Sequence, residues 1–127
     1  MREIQVSIDQ LIASLVRVPN VAILDSCGVG HLGSRFMICG VGPVETLGLD
    51  SDDAAESLDR LQKKLERGLA AIFTISYDFG ARLQGIVSRH QHEVRENDIH
   101  FALFDSLIVH DYQRGRTFVV FLPAFPP

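Results

Sequence analysis

The sequence predicts an α+β fold, a single domain over residues 1–127 that consists mainly of antiparallel β-sheet with two to three helices. Short apolar runs typical of strands follow one another in the order β-α-β-β-β-α-β-(α)-β-β. Runs of strands joined by hairpins favour an antiparallel sheet over a doubly wound parallel sheet. The chain has 127 residues, of which 46% are hydrophobic and 22% charged. A chain of this size buries roughly two thirds of its unfolded surface and needs no metal or disulfide to fold.

The N-terminal part of the chain predicts one helix among four strands. Residues 2–6 are a candidate short strand. Ser7 and Gln10 form an S-x-x-Q capping box, and the apolar spacing after it predicts a helix with one buried face that ends at Pro19. The apolar positions of this helix are Ile8, Leu11, Ile12, Leu15 and Val16. The next three predicted strands are 21–26, 34–41 and 44–49.

A second and clearer helix is predicted over residues 52–67. Its acidic start and its basic last turn suit the helix dipole, and Gly68 suits a C-terminal cap. Asp50 lies at the entrance of this helix, where we expect it to act as a cap. The face expected to be buried consists of Ala54, Leu58, Leu61 and Leu65.

The C-terminal half returns to strands. A buried strand over 70–76 and a short helix within 77–87 precede a polar loop over 88–98. Two long strands, 99–111 and 116–122, are expected to form a hairpin through the turn at 113–115. The last residues, 123–127, read PAFPP and cannot continue any element, so they predict the start of a linker to a further domain.

Charge and hydropathy exclude several classes of partner. The net charge is −4 and the basic residues form no stripe, which argues against nucleic acid and anionic membrane as partners. No apolar run approaches the roughly 20 residues that span a bilayer. The N-terminus lacks the basic-then-apolar pattern of a signal peptide. Cys27 and Cys39 form no C-x-x-C motif, so the expected compartment is the reducing cytoplasm.

A literal G-x-G-x-x-G stands at residues 28–33, directly after an apolar run. In a dinucleotide-binding fold the strand must be followed at once by a helix whose N-terminus faces the pyrophosphate. Here the motif precedes a β-rich stretch, and Gly40, Gly42 and Pro43 would break a helix. We therefore interpret the glycines as a turn between two antiparallel strands. A nucleotide-binding enzyme is the weakest of three functional hypotheses.

The remaining chemistry-bearing residues form no recognisable constellation. Cys27 has no local base, which favours a small buried or half-buried thiol over a nucleophile. His90 and His92 lack a third and a fourth metal ligand at a recognisable spacing. Asp78 suits capping ahead of a helix. Asp105 interrupts an apolar run, and its carboxylate must be hydrogen-bonded or lie at a surface or interface. The sequence thus predicts no self-contained catalytic site, no metal site and no cofactor in this chain.

Three stretches taken together resemble component I of the chorismate-aminating synthases. ILDSCGVGHLGSRFMICGVGPVETL resembles the family's L-x-S strand, glycine-bearing turn, aromatic-containing strand and P-x-x-T-L segment. AIFTISYDFGARLQ resembles its G-x-x-x-Y-D-x-x-R segment, and DIHFALFDSLIVHDYQRGRTFVV resembles its long hairpin. Ser106 replaces the tryptophan that commonly follows the aspartate in that hairpin. The SRF sequence at 34–36 favours the 4-amino-4-deoxychorismate (para-aminobenzoate) synthase branch over anthranilate synthase.

The resemblance runs from about residue 11 to residue 120 and covers only the family's N-terminal domain. It implies an α+β domain that packs on a larger chorismate-binding domain, which holds the family's magnesium ligands and catalytic lysine. It also implies a glutamine amidotransferase partner and a rim that binds tryptophan or a related amino acid. That rim maps to Leu24, Asp25 and Ser26 on the predicted strand 21–26, with Arg35 and Phe36 after the glycine-bearing turn.

The leading hypothesis is therefore a non-catalytic N-terminal domain of an aminodeoxychorismate-synthase-like component I, in folate or tryptophan biosynthesis. In the rim, a hydroxyl and a carboxylate could bind a ligand ammonium, a guanidinium its carboxylate, and an aromatic ring an indole. The alternative is a stand-alone domain of the same fold that binds a small molecule or a protein.

Overall fold

A computed structural model of the protein describes residues 1–29, 34–50, 53–86 and 97–123. Within these ranges the chain forms eight strands and three helices in two antiparallel sheets, which confirms the predicted α+β class. In chain order the elements are β1 (Arg2–Ile4), α1 (Ile8–Leu15), β2 (Val21–Asp25), β3 (Phe36–Val41), β4 (Glu45–Leu49), α2 (Ala54–Leu65), β5 (Ala70–Ile75), α3 (Tyr77–Leu83), β6 (Ile99–Phe104), β7 (Ser106–Asp111) and β8 (Arg116–Phe121).

The larger sheet has five strands in the order β1-β8-β7-β3-β2, and α1 packs on one of its faces. The helix begins at the predicted capping box: the Ser7 hydroxyl accepts the Gln10 backbone N–H, and the Gln10 side chain accepts the Ser7 N–H. These bonds satisfy donors that a helix start otherwise leaves without partners. The core between helix and sheet consists of Leu11, Leu15, Met37 and Cys39.

The smaller sheet has three strands in the order β4-β6-β5, and α2 and α3 supply the helical part of its core. Asp53 caps α2 by accepting two backbone N–H groups, and Ser76 caps α3 by accepting the Phe79 N–H at 3.0 Å. The buried residues of this core are Leu49, Leu61, Phe79, Ile99, Phe101 and Leu103.

One prediction around α2 is wrong, and the predicted buried face of this helix is confirmed for Leu61 but not for Leu58 and Leu65. Asp50 does not cap the helix; its Oδ1 accepts the backbone N–H of Asp98 at 2.9 Å and so ties the end of β4 to the start of β6. The buried side of α2 contains Ser57 and Leu61, whereas Leu58 and Leu65 are 39% and 41% exposed. The helix thus meets the small sheet along a narrower stripe than its leucines suggest.

The segment from β3 to β4 runs antiparallel to the segment from β6 to β7, and this ribbon connects the two sheets. Between the pair Cys39–Ile108 and the pair Glu45–Leu103 one strand advances six residues and the other five. One extra residue of this kind is a β-bulge, which bends and twists a sheet.

The predicted long strand 99–111 is therefore wrong. It breaks at Asp105 into β6 and β7, which belong to different sheets. Asp105 is exposed, its side chain accepts the Ser106 hydroxyl at 2.9 Å, and its backbone oxygen accepts the Leu122 N–H at 2.8 Å. A charged residue suits this bend because it stays in water.

Both predicted turns of the large sheet join antiparallel strands. β2 and β3 pair from Val21–Val41 to Asp25–Met37, so the glycine motif connects two strands, and Gly28 has a φ of +62°. The 113–115 turn joins β7 to β8. Residues 30–33 of the glycine motif, His90, His92 and residues 124–127 lie outside the described residues.

Candidate functional site: a helix-free sheet face

The face of the large sheet opposite α1 carries a row of apolar side chains across four strands. Leu24 pairs with Ile38, Ile38 with Val109, and Val109 with Phe118. Paired residues of antiparallel strands project from the same face, so these four side chains are neighbours. Met37 and Cys39 project to the other side, where they meet α1. We call the helix-free face the surface formed by Leu24, Phe36, Ile38, Leu107, Val109, Phe118 and Val120.

The helix-free face is only partly shielded from solvent. Leu24 is 54% exposed and Phe36 41% exposed, while the other members are half-buried. The described helices α2 and α3 contribute to the core of the other sheet. At one end of the helix-free face the ring of Phe104, which belongs to the small sheet, lies over Gly40 of the large sheet. This contact joins the two sheets. The sheet thus presents a broad apolar surface that no described helix covers.

Two ion pairs border the helix-free face. Arg35 donates from Nε and from a terminal nitrogen to Oδ2 of Asp111, at 3.2 and 2.7 Å. The Asp111 side chain is 4% exposed, and its Oδ1 accepts the backbone N–H groups of Gln113 and Arg114. The hydrogen bond from Arg35 is the largest of the effects that hold the pKa of Asp111 below its ordinary range. The second pair joins the Arg116 guanidinium to the Glu3 carboxylate.

The predicted rim residues all lie where β2 ends and β3 begins, but on two faces of the sheet. Leu24 and Phe36 belong to the helix-free face, and the Arg35 guanidinium lies 4.8 Å from the centre of the Phe36 ring. Ser26 ties the end of β2 to the start of β3, because its hydroxyl donates to the Phe36 backbone oxygen at 2.8 Å. Asp25 pairs with Met37, so it projects to the α1 side.

The Asp25 carboxylate is engaged within the chain. Its Oδ1 accepts the Tyr112 hydroxyl and the Cys27 backbone N–H, each at 2.8 Å. Burial, together with the bond to Asp25, raises the pKa of Tyr112 to about 12. The carboxylate of Asp25 and the guanidinium of Arg35 therefore sit on opposite faces of the sheet, each with partners from this chain.

The two cysteines occupy different environments. Cys27 is exposed, contrary to the predicted buried or half-buried thiol, and its φ of 55° places it in a tight turn after β2. Cys39 is buried in the core under α1, and this burial raises its pKa to about 11. Cys39 is thus a protonated core residue, as a small apolar side chain would be.

The described residues assemble no cluster of metal ligands. They contain no group of three or more histidine, cysteine or acidic side chains that could hold a metal ion. The buried His110 contacts the Thr117 hydroxyl through Nδ1 at 2.8 Å and packs edge-on against Tyr112. No helix in the described ranges is long and apolar enough to cross a membrane.

Sequence reasoning missed the helix-free face and the Asp111 ion pair. A usable signal was present, because β2, β3, β7 and β8 read as continuous apolar runs rather than as alternating polar and apolar positions. Continuous runs indicate a sheet that is covered on both faces. The ion pair had no such signal, because Arg35 and Asp111 are 76 residues apart.

No protein-family model, no curated protein and no solved structure matches this chain.

Proposed function

We propose that this chain is a non-catalytic domain of an aminodeoxychorismate-synthase-like component I, and that its helix-free face packs on the chorismate-binding domain. The observation that carries the proposal is the apolar row from Leu24 to Phe118 on a face that no described helix covers. Large contiguous apolar patches on soluble proteins mark interaction sites. The ordered sequence resemblance supplies the identity of the partner domain.

The composition of the helix-free face suits a domain interface. Complete burial of a leucine or phenylalanine side chain contributes about 1.5–3 kcal/mol, and Leu24 and Phe36 still expose about half of theirs. The Arg35–Asp111 and Arg116–Glu3 pairs would form a polar border around this apolar centre. Interfaces commonly have an apolar centre and a polar rim.

On this proposal the chemistry takes place in the partner domain. The parent enzyme replaces the 4-hydroxyl group of chorismate with ammonia, which a glutamine amidotransferase subunit supplies, and magnesium binds in the chorismate-binding domain. The contribution of this chain is to cover and support that domain. An amino acid such as tryptophan at the rim is a further part of the proposal, with Leu24 and Phe36 as its apolar contacts.

The first test is the reading frame that follows residue 127 in the source gene. The proposal expects it to encode a chorismate-binding domain. A stop codon directly after residue 127 would favour the alternative, a stand-alone binding or interaction domain.

The second test compares two neighbouring substitutions in the full protein. Leu24→Asp places a charge on the helix-free face, whereas Ile23→Asp places it on the other face of the same strand, at a residue that is 41% exposed. We expect Leu24→Asp to lower the rate of aminodeoxychorismate formation at least tenfold, because a buried unpaired charge is costly. Ile23→Asp should leave that rate near the original. Equal effects of both substitutions would contradict the proposed interface.

Tryptophan binding has its own measurement. A ligand that binds only the folded state raises the Tm by mass action. If the rim binds tryptophan, about 1 mM tryptophan should raise the Tm of the chain, and Phe36→Ala should abolish the increase. An unchanged Tm would leave the chain with the supporting role alone.

A further inference from the structure

The four edge strands of the two sheets differ in how they are protected from pairing with another strand. β1 has three residues, of which Arg2 and Glu3 are charged. β4 carries Glu45, which binds Lys64 of α2 and Arg67 just after that helix. Charged side chains and short length are the usual means by which proteins block an edge. β2 ends on a charged residue, Asp25.

β5 is the edge strand without such protection. Its six residues, Ala70–Ile75, include no charge and no proline. Among the described residues β5 pairs only with β6, so its other edge presents backbone N–H and C=O groups without a strand partner. Phe73 and Ile75 are each 46% exposed, and Tyr77, just beyond the strand, is 91% exposed. An exposed apolar edge of this kind is a template for another strand.

The sequence of β5 is complementary to itself. In an antiparallel pair of two copies centred on Phe73, that ring meets its counterpart at the two-fold axis. Ala71 then lies opposite Ile75, and Ile72 lies opposite Thr74. The two side chains of each facing pair project from the same face of the sheet, and no pair brings like charges together. A two-fold axis perpendicular to the sheet closes the assembly after two copies.

We propose that two copies of this chain associate through β5, which pairs antiparallel with β5 of the second copy across a two-fold axis at Phe73. The two three-stranded sheets become one continuous six-stranded sheet. The exposed Tyr77 extends the apolar contact beyond the backbone ladder. This surface is separate from the helix-free face, so the dimer does not depend on the proposed function.

The test is the mass in solution, measured by sedimentation equilibrium from about 10 μM to about 1 mM chain. We expect the mass to approach twice the 14.1 kDa of the monomer as the concentration rises. Phe73→Lys and Phe73→Glu should each yield monomers, because like charges meet at the axis. An equimolar mixture of the two variants should restore the dimer, because Lys then faces Glu.

The control is Ile23→Lys, which places a charge on β2, an edge strand of the larger sheet, at a residue of similar exposure. It should leave the dimer intact. Thr74→Lys, at an exposed position of β5, replaces the Phe73 variants if those fail to fold and should likewise yield monomers. A monomer at about 1 mM, a dimer that survives the folded Phe73 or Thr74 variants, or a dimer that dissociates with Ile23→Lys would overturn the proposal.

Discussion

Gly40→Ala should strongly destabilise the protein, although alanine is normally the better residue in a strand. A Cβ atom on Gly40 would lie 2.6 Å from three ring carbons of Phe104. Phe104 is 1% exposed at the end of β6, next to the bend between the two sheets. Its ring is enclosed and cannot move aside without disturbing the ribbon that connects the sheets.

The magnitude follows from two opposing effects. Alanine in place of a strand glycine gains roughly 0.5–1 kcal/mol in backbone entropy. Forcing an extra carbon into a packed site costs about 1–3 kcal/mol, and a contact as short as 2.6 Å belongs at the upper end of that range. We expect a net loss of about 2 kcal/mol in the free energy of unfolding.

Urea unfolding followed by circular dichroism measures this loss. Gly80→Ala is the matched control, because Gly80 lies in α3 and a methyl group added there would meet nothing within 4 Å, so this variant should gain about 1 kcal/mol. Combining Gly40→Ala with Phe104→Leu should cost less than the sum of the two single changes, because the residues are in contact. A Gly40→Ala protein as stable as the original would refute the close packing of Phe104 on the bend.

Three smaller predictions concern single side chains. Ser57→Ala should raise the free energy of unfolding by about 1 kcal/mol, because the buried Ser57 hydroxyl has no hydrogen-bond partner among the described residues. The pKa of Asp111 lies below its ordinary value of 3.8, so its pairing with Arg35 stabilises the fold fully above pH 3.8 and is lost as the pH falls further. Asp111→Asn should therefore lower the Tm at neutral pH and flatten the decline of Tm in acid. At about pH 8, a thiol reagent followed by mass spectrometry should modify the exposed Cys27 and spare Cys39, whose pKa is about 11; modification of both in the folded protein would contradict the buried position of Cys39.

Local chemistry predicted the elements that depend on neighbouring residues. The capping box of Ser7 and Gln10 is formed as expected, and the glycine-bearing turn joins two antiparallel strands. These features are set by bonds within a few residues, which a sequence pattern contains. The prediction of α+β class depended on counting such elements and is confirmed.

Features set by distant residues were not predictable. Asp50 was expected to cap α2, but its partner is the backbone of Asp98, which is 48 residues away. The break at Asp105 reflects the bend between two sheets, and the residues 99–111 read locally as one strand. The rim was predicted from a family resemblance, and the engagement of Arg35 by Asp111 depends on strand pairing that no local pattern reveals.

The proposed interface is tested most directly by hydroxyl-radical footprinting of β8, with mass spectrometry as the readout. Phe118 lies on the helix-free face, and Phe121 lies on the opposite face of the same strand and is 64% exposed. The oxidation rate of each ring is compared between the isolated chain and the chain joined to its chorismate-binding domain. The proposal predicts that Phe36 and Phe118 become protected in the joined protein while Phe121 keeps its rate. Equal oxidation of Phe118 in both forms would contradict it.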